Sequence, residues 1–306
     1  MIDILCLGHS AYDISYPLEE FPREDQKYVT RDSVEGGGGP AANAAYLLSL
    51  WRLSAGYGGL VGDDIYGRAI RKEFQAVGTD LRFLEVREGF QTPQSGIIIN
   101  KENGSRTLIN RRDADPAPVE FPDEVWRQAA PEVILMDGHY SSLGMKAMEM
   151  YPQALTILDG GSVHHGTSSL APRVDYLIVS EAFALEFTGV PHLDSPENRK
   201  KALKALQEAN GRYAVITRGE KGLLYKSPEE QGEMAAFPVR AVDTTGAGDI
   251  FHGAFAYCIY WGMDFQESLE FSSLTASLSV QKKGGRPSIP DLDTVLRAYE
   301  KLKGSL

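Results

Sequence analysis

Short apolar runs alternate with helical patterns along most of this chain, and this alternation limits the possible folds more than any other feature. Residues 2–8 are typical of a buried strand, 41–53 of a helix, 55–61 of a strand and Ile65–Val77 of a helix. Further strands are predicted at 132–136, 154–158, 176–179 and 213–217, and further helices at 144–150, 182–188, 196–209, 247–261, 265–281 and 291–302. Apolar strands that alternate with helices form a mostly parallel sheet covered on both faces. The chain is therefore predicted to be an α/β protein with a central, mostly parallel sheet flanked by helices.

Two segments, residues 12–34 and 92–112, interrupt this rhythm with alternating polar and apolar residues. Residues 94–100 and 105–110 flank an Asn103-Gly104 step, which is typical of a β-hairpin. Such alternation predicts a sheet with one bare face. We therefore expect one domain over residues 1–306, with a small β lid over the carboxyl edge of the main sheet, where open α/β sheets bind ligands.

The charge of the chain argues against binding to nucleic acids or to membrane surfaces. Its 42 acidic residues exceed its 31 lysines and arginines, which gives a formal net charge of -11, so polyanions would be repelled. Cys6 and Cys258 lie in apolar runs and are predicted to be buried thiols, too few for a zinc site. The chain starts with a strand-like run and shows no leader or long apolar span, so a reducing cytoplasm is the expected location.

The most informative segment is Val-Asp-Thr-Thr-Gly-Ala-Gly-Asp-Ile-Phe-His-Gly-Ala at 242–254, which follows a strand-like run at 235–239 and opens an apolar helix. Its small residues are Gly246, Ala247 and Gly248. Their backbone N–H groups can approach a ligand closely, and free amides at a helix start attract an anion. Asp249 follows directly and can accept the proton of an alcohol as its oxygen attacks phosphorus. The alternative is an ordinary helix start, where the helix dipole also favours an aspartate.

Residues 243–251 resemble the C-terminal signature of the ribokinase family, also called the phosphofructokinase-B family of carbohydrate kinases. Further matches follow the order of that family: Gly8 with Asp13, the glycine loop at 37–41, the Val-Gly-x-Asp-x-x-Gly motif at 61–67, the nucleotide loop at 217–222 and the C-terminal loop at 284–290. The resemblance implies the ribokinase-like fold, MgATP as phosphoryl donor, and a β lid that forms a homodimer.

The resemblance also implies a role for each matching residue. Asp249 is the catalytic base, and Gly246, Ala247 and Gly248 form the anion hole. The sugar is held by Asp13, Gly37, Gly38 and Gly39, and ATP by Thr217, Gly219, Gly222, Ser180 and Glu181. Asp243, Thr245 and Ser288 are expected to bind a monovalent cation such as K⁺. An Asp13 that caps its own turn and a flexible glycine turn before a helix are the alternatives.

Two departures from the family pattern affect these expectations. The family's asparagine after the glycines falls at Ala42, while Asn43 lies one step, about 100°, around the helix, so no sugar contact is assigned to it. The magnesium motif Asn-x-x-Glu aligns with 180–183, where Phe183 replaces the glutamate. Because Mg²⁺ keeps several waters, loss of one carboxylate is compatible with activity, with Glu181 or Glu186 acting through metal-bound water.

The predicted lid carries positive charge in an acidic protein. Its polar residues are Lys27, Arg31, Asn110, Arg111 and Arg112, assigned to lid strands, and His139 stands where kinases similar to 6-deoxy-6-sulfofructose kinase have an arginine. A basic lid suggests a sulfonate or phosphate on the substrate, whereas solvated or dimer-interface charge is the alternative. We expect a kinase for a primary hydroxyl of a furanose or ketose sugar. A nucleoside kinase and a non-catalytic sugar sensor stay open.

Other motifs are set aside. Gly36-x-Gly38-x-x-Ala41 satisfies a dinucleotide fingerprint, but a polar stretch precedes it instead of a buried strand. No Gly-x-x-x-x-Gly-Lys-Ser/Thr loop is present. His164 and His165 are adjacent and have no ligand-like spacing, so they are interpreted as part of a polar loop.

Overall fold

A computed structural model describes residues 2–102, 104–112 and 118–304. The strands are β1 (Ile4–Leu7), β2 (Ala11–Leu18), β3 (Val34–Gly38), β4 (Ala55–Gly62), β5 (Asp80–Arg87), β6 (Gln94–Asn100), β7 (Arg106–Arg111), β8 (Val133–Met136), β9 (Leu155–Gly160), β10 (Tyr176–Ser180), β11 (Tyr213–Thr217), β12 (Leu223–Lys226) and β13 (Gln231–Met234). The helices are α1 (Pro40–Leu50), α2 (Ile65–Val77), α3 (Asp123–Arg127), α4 (Ser141–Met150), α5 (His165–Leu170), α6 (Glu181–Thr188), α7 (Pro196–Asn210), α8 (Ala247–Tyr260), α9 (Phe265–Ser279) and α10 (Leu292–Lys303).

The main sheet has nine strands in the order β13-β12-β11-β10-β9-β8-β1-β4-β5. All neighbours from β11 to β5 pair in parallel, and only β12 and β13 run antiparallel to their neighbours. Side chains of the central strand β1 alternate between the two layers: Ile4 and Cys6 join the core beneath α1 and α8, while Leu5 and Leu7 join the core on the other face. The predicted fold class is confirmed.

Helices α1 and α8 pack closely on one face of the sheet. α1 is rich in alanine, the best helix former, and Pro40 begins it at the position where a missing N–H does no harm. A Cβ added to Gly253 of α8 would lie 3.1 Å from the Cα of Ala44 in α1, so the glycine permits the close approach. This contact brings the first turns of the two helices to the same edge of the sheet.

A second, four-stranded sheet has the order β3-β2-β6-β7. β6 and β7 form the predicted hairpin, and Asn103 of its turn lies outside the described residues. Asp13 of β2 pairs with Ser95 of β6, which pairs with Asn110 of β7. Residues paired across neighbouring strands point to the same face, so these three side chains form one row.

Several element predictions are confirmed and others are wrong. Ile65–Val77 and Tyr213–Thr217 form as predicted. The strand expected at 235–239 is wrong, because the chain pairs at Gln231–Met234 instead, in a half-exposed edge strand whose polar side chains hide it from a search for apolar runs. Lys27 and Arg31 lie in an irregular loop between β2 and β3, not on lid strands. Among the described residues, none of the helices has the length and apolar character needed to span a bilayer.

Candidate active site

The start of α8 forms an open pocket edge with free backbone donors. Gly246 precedes the helix with a φ of 74°, a left-handed conformation that favours glycine. The N–H of Ala247 donates to Thr244 O at 3.3 Å, whereas those of Gly248 and Asp249 find no acceptor within the described ranges. A Cβ added to Gly248 would meet nothing within 4 Å. The positive end of the helix dipole is therefore open to an anion.

Asp249 lies in this first turn and is partly exposed. Its Oδ2 accepts a hydrogen bond from Asn43 Nδ2 of α1 at 2.7 Å. Within the described part of the chain no donor is found for its Oδ1. The carboxylate therefore has one oxygen held by the protein and one free to accept a proton from a ligand.

Asp13 faces the same space from the small sheet. Its burial raises its pKa to about 6, and the negative charge of Asp249 adds to the rise, while the hydrogen bond from Ser95 and the charges of Arg286 and Arg106 oppose it. Two carboxylates that influence each other from opposite walls suit a ligand with several hydroxyl groups between them, since ionised carboxylates only accept hydrogen bonds.

The three glycines before α1 are required by packing. An added Cβ would collide with the Arg286 guanidinium at Gly37, with the Asp13 carboxylate at Gly38, and with the His9 carbonyl at Gly39. The Gly37 N–H is held by both carboxylate oxygens of Glu73, at 3.1 and 3.0 Å. The loop is thus a fixed wall of the pocket, and the expected alternative of a flexible turn has no support in these contacts.

The hairpin of the small sheet rests on the loop that precedes α8. Arg106 donates to the carbonyl of Thr244, and the hydroxyl of Thr244 donates to Gly104 O at 3.2 Å. By strand register, Arg106 shares a face with Asn110 and Asp13. Asn110 therefore lies on the same face of the small sheet as Asp13, and so does Arg106, which was not identified from the sequence.

A cluster of histidines surrounds one buried carboxylate at the ends of β1 and β8. Asp137 accepts hydrogen bonds from the backbone N–H of His9 at 2.7 Å and of His139 at 3.0 Å. The His139 ring stacks on His9 at 4.8 Å and lies 5.0 Å from the ring of His164. Burial alone would raise the pKa of Asp137, but its contacts with His139 and His9 lower it to about 2. His164, interpreted from sequence as part of a polar loop, caps α5 and belongs to this cluster.

Burial lowers the pKa of His9 to about 3, so its imidazole is neutral at physiological pH. The charge of Arg112 lowers the pKa of His9 and of His164 further. Arg111 is engaged elsewhere, because its guanidinium donates to Gln94 Oε1 at 2.9 Å and to Thr92 O at 3.0 Å. Lys27 and Arg31 are exposed on their loop, and within the described ranges no contact joins them to Asp13.

The residues expected to hold ATP line the carboxyl ends of β10 and β11. Ser180 caps α6 by accepting from the N–H of Phe183 at 3.0 Å, and it pairs in register with Thr217. The Glu181 carboxylate lies 3.9 Å from Nε of Arg218, a buried nitrogen with no hydrogen-bond partner among the described residues.

Phe183, the residue that the sequence analysis aligned with the glutamate of the magnesium motif, lies in the core. It is fully buried and stacks on Phe187 with 5.4 Å between ring centroids. It is therefore a core residue and cannot bind a metal. Gly219 and Gly222 take left-handed conformations with φ of 56° and 80°, which shape the loop after β11.

Asp243 ties two loops together below the anion site. Its Oδ1 accepts from the N–H of Thr245 at 2.9 Å, and its Oδ2 accepts from that of Gly284 at 2.7 Å. Ser288 Oγ donates to Gly285 O at 2.7 Å. Thr245 Oγ1 is buried and has no partner within the described residues. Among the described residues, no three or more His, Cys, Asp or Glu side chains are grouped so that they could hold a metal ion.

His252 and Asp159 lie beneath the first turns of α8 and were also missed from sequence. His252 Nδ1 lies 3.1 Å from Asp159 Oδ2 and 2.7 Å from Gly248 O. Burial raises the pKa of Asp159 to about 7, and the charge of His252 opposes the rise. This buried pair supports the backbone of the anion site from below.

Comparison with known proteins agrees with this architecture. The family model described as pfkB family carbohydrate kinase matches residues 1–292. Ribokinase of Arabidopsis thaliana is 27% identical over 305 residues, which cover 96% of this chain and 80% of that protein. ATP-dependent ribose-1-phosphate kinase of Halopiger xanaduensis is 25% identical over 300 residues, covering 96% and 97% of the two chains. The structure of Arabidopsis thaliana ribokinase complexed with ribose and ATP superposes with a TM-score of 0.82 at 25% identity and covers 97% of this chain and 98% of that one.

Proposed function

This chain belongs to the pfkB family of carbohydrate kinases, and from that premise we propose that it transfers the γ-phosphoryl group of ATP to a primary hydroxyl of a furanose or ketose sugar. It is a phosphotransferase with an alcohol group as acceptor. The observation that carries the proposal is the Asp249 carboxylate, with one free oxygen, in the open first turn of α8.

In the proposed reaction the sugar lies between Asp13 and Asp249. The sugar oxygen attacks the γ-phosphorus, the bond from that phosphorus to the bridging oxygen breaks, and ADP leaves with the electron pair. Asp249 Oδ1 takes the hydroxyl proton. The backbone N–H groups at Gly246, Ala247 and Gly248, of which that of Ala247 also contacts Thr244 O, are proposed to face the charge that develops on the transferred group, a stabilisation worth several kcal/mol when the donors are preorganised.

The nucleotide is proposed to bind over β10 and β11, along Thr217, Gly219 and Gly222. The unpartnered Nε of Arg218 suits a phosphate oxygen, since a buried donor is costly to leave unpaired. Mg²⁺ bound with the nucleotide neutralises phosphate charge. Because Phe183 is in the core, Ser180 and Glu181 would hold the metal only through its waters, which Mg²⁺ retains readily.

A monovalent cation, K⁺, is proposed to bind near Asp243. The buried Thr245 Oγ1 lacks a partner among the described residues and lies in the same loop, so it offers an oxygen ligand, as does the buried Ser288. The positive charge of the K⁺ ion would strengthen the neighbouring anion site at the start of α8. Stimulation of turnover by K⁺ over Na⁺ at equal ionic strength tests this site.

We propose that the sugar is fructose-like and carries an anionic group, such as a sulfonate or a phosphate, at the end facing His139. Two observations support this proposal: the charge of Arg112 acts on the histidine cluster that includes His139, and one relative is named for a sugar phosphate. Lys27 would contribute by closure of its exposed loop. Lys27→Ala should raise KM for an anionic sugar far more than for its neutral analogue, with the exposed Lys72→Ala as control. Equal effects on both sugars would remove the anionic substrate from the proposal.

A homodimer through the lid is also proposed. β7 is an exposed edge strand, and Leu108 and Ile109 on it are 44% and 65% exposed. Exposed edges with apolar side chains favour pairing with a second copy. Light scattering on the native chain and on Ile109→Lys tests it, since the variant should be monomeric. A cytoplasmic location, where ATP is supplied, is proposed with it.

The test of the main proposal is ATP consumption over a panel of fructose, ribose, their phosphates, sulfofructose and nucleosides, with Asp249→Asn as control. Turnover with one sugar that falls at least about 100-fold in the variant supports the proposal. Preference for a nucleoside would instead favour a nucleoside kinase, against which the charged lid argues. Absence of turnover on every compound, combined with sugar binding in a thermal-shift assay, would favour a sensor.

A further inference from the structure

A continuous chain of polar contacts connects α2 to the proposed base. Glu73 of α2 pairs with Arg286 Nη1 at 2.6 Å. Arg286 Nε donates to Asn43 Oδ1 at 3.3 Å, and Asn43 Nδ2 donates to Asp249 Oδ2 at 2.7 Å. These contacts join four segments of the chain that are separated in sequence.

The contacts fix the orientation of the Asn43 amide. Arg286 carries only donors, and an ionised carboxylate carries only acceptors. If the amide turned over, its NH₂ group would face the Arg286 donor and its oxygen would face Asp249. Asn43 is 2% exposed, so water cannot compensate for either mismatch. The observed orientation is therefore the only one that satisfies both neighbours.

Arg286 is itself held in place on several sides. Its side chain is 3% exposed, and its guanidinium carbon lies 4.4 Å from the ring centroid of Phe74 and 5.0 Å from that of Tyr46. Glu73 forms an ion pair with Arg286 and also accepts a hydrogen bond from the N–H of Gly37, in the glycine loop at 37–41. A planar guanidinium stacked on rings and bonded at its edge has little freedom to move.

We propose that Asn43 is a positioning residue for the base Asp249. Arg286 and Glu73 hold the Asn43 amide in place and connect it to the glycine loop at 37–41. Asn43 holds Asp249 Oδ2, so Oδ1 alone meets the sugar hydroxyl and the transferred proton goes to Oδ1. The inference rests on the proposed kinase function.

The matched experiment compares Asn43→Ala with Ser49→Ala in the purified full chain, with the best sugar found in the panel. Ser49 lies later on the same helix, is buried, and accepts a hydrogen bond from Thr79 at 2.8 Å, so its loss destabilises α1 without reaching the pocket. For Asn43→Ala we expect kcat to fall about 10- to 100-fold, as for loss of a charge-assisted hydrogen bond, with the sugar KM within about threefold. Ser49→Ala should keep kcat within about twofold.

Arg286→Lys provides an independent reading, because lysine keeps the positive charge but cannot bond Glu73 and Asn43 in one fixed plane. We expect its kcat to fall about three- to tenfold at nearly unchanged KM, and this variant decides if Asn43→Ala does not fold. If Asn43→Ala folds and keeps the wild-type kcat, the inference is wrong, although the proposed function stands. If Asn43→Ala does not fold, a wild-type kcat in Arg286→Lys has the same meaning. A wild-type chain that phosphorylates nothing in the panel overturns the proposed function and, with it, the inference.

Discussion

Replacing Asp13 by asparagine should stabilise the protein and weaken its sugar binding. The Asp13 carboxylate is largely buried, and its charge is disfavoured both by burial and by Asp249 on the opposite wall. Asparagine has the same shape and no charge. The substitution therefore removes an unfavourable charge from the empty pocket, together with an acceptor that the sugar requires.

The magnitude follows from the pKa of Asp13, raised from 3.8 to about 6 in the folded chain. Each pKa unit corresponds to about 1.4 kcal/mol, so ionised Asp13 destabilises the fold by about 3 kcal/mol. Because the folded pKa is the higher one, this penalty is absent below about pH 4. It grows as the pH rises and is complete above about pH 6. At pH 5 the linkage relation gives a destabilisation of the folded state by Asp13 of about 1.5 kcal/mol.

Urea unfolding without sugar, at pH 5 and pH 8, measures this difference. Asp13→Asn should exceed the wild-type free energy of unfolding by about 3 kcal/mol at pH 8 and by about half of that at pH 5. Asp25→Asn is the matched control, since Asp25 is exposed and its φ of 56° suits asparagine equally well. It should change stability by less than about 0.5 kcal/mol. If Asp13→Asn and the wild type are equally stable at pH 8, the ionised Asp13 carboxylate does not destabilise the fold, and the reasoning is refuted.

Three further predictions follow from the same site. The wild-type KM for a neutral sugar should rise about tenfold between pH 7 and pH 5, because Asp13 with a pKa of about 6 loses its charge in that range; a flat KM profile would contradict it. Phe183→Glu, which restores the family's glutamate, should lower the urea midpoint sharply, since it buries a charge in the core, and a folded variant with faster turnover would show that the position reaches the metal. Arg106→Met should raise the sugar KM about three- to tenfold while leaving the unfolding free energy within about 1 kcal/mol, because its contact with Thr244 is exposed; unchanged kinetics would separate the hairpin contact from binding.

The sequence predicts the parts of the site that are contiguous in the chain. Gly246 to Asp249 form one turn of one helix, and a local pattern of small residues before a carboxylate is enough to identify them. Most of the parallel sheet is equally accessible, because strands such as β1, β8 and β10 are almost entirely apolar and buried. The edge strand β13 is not, since its half-exposed residues carry no apolar run.

The partners of the base could not be predicted in the same way. Asn43 meets Asp249 across 206 positions of sequence, and Arg286 meets Asn43 across 243. Which neighbour the Asn43 amide faces depends on how α1 packs against α8, where Gly253 lies close to Ala44, and this packing is a tertiary feature that the local sequence does not contain. The histidine cluster could not be predicted from local sequence either, because His9, His139 and His164 follow three separate strands.

The contact between the hairpin and Thr244 has a consequence for the order of events in one turnover. The Thr244 carbonyl that receives Arg106 lies two residues before the start of the anion site, so the small sheet and the phosphate cradle are attached at one point. If the sugar binds beneath the small sheet as proposed, separation of this contact would open the sheet and would also move the loop that leads into the donors of the anion site. In the proposed reaction, release of the product and loosening of the anion site would therefore be coupled, so the anion site would be incomplete while water has access, which would limit wasteful hydrolysis of ATP.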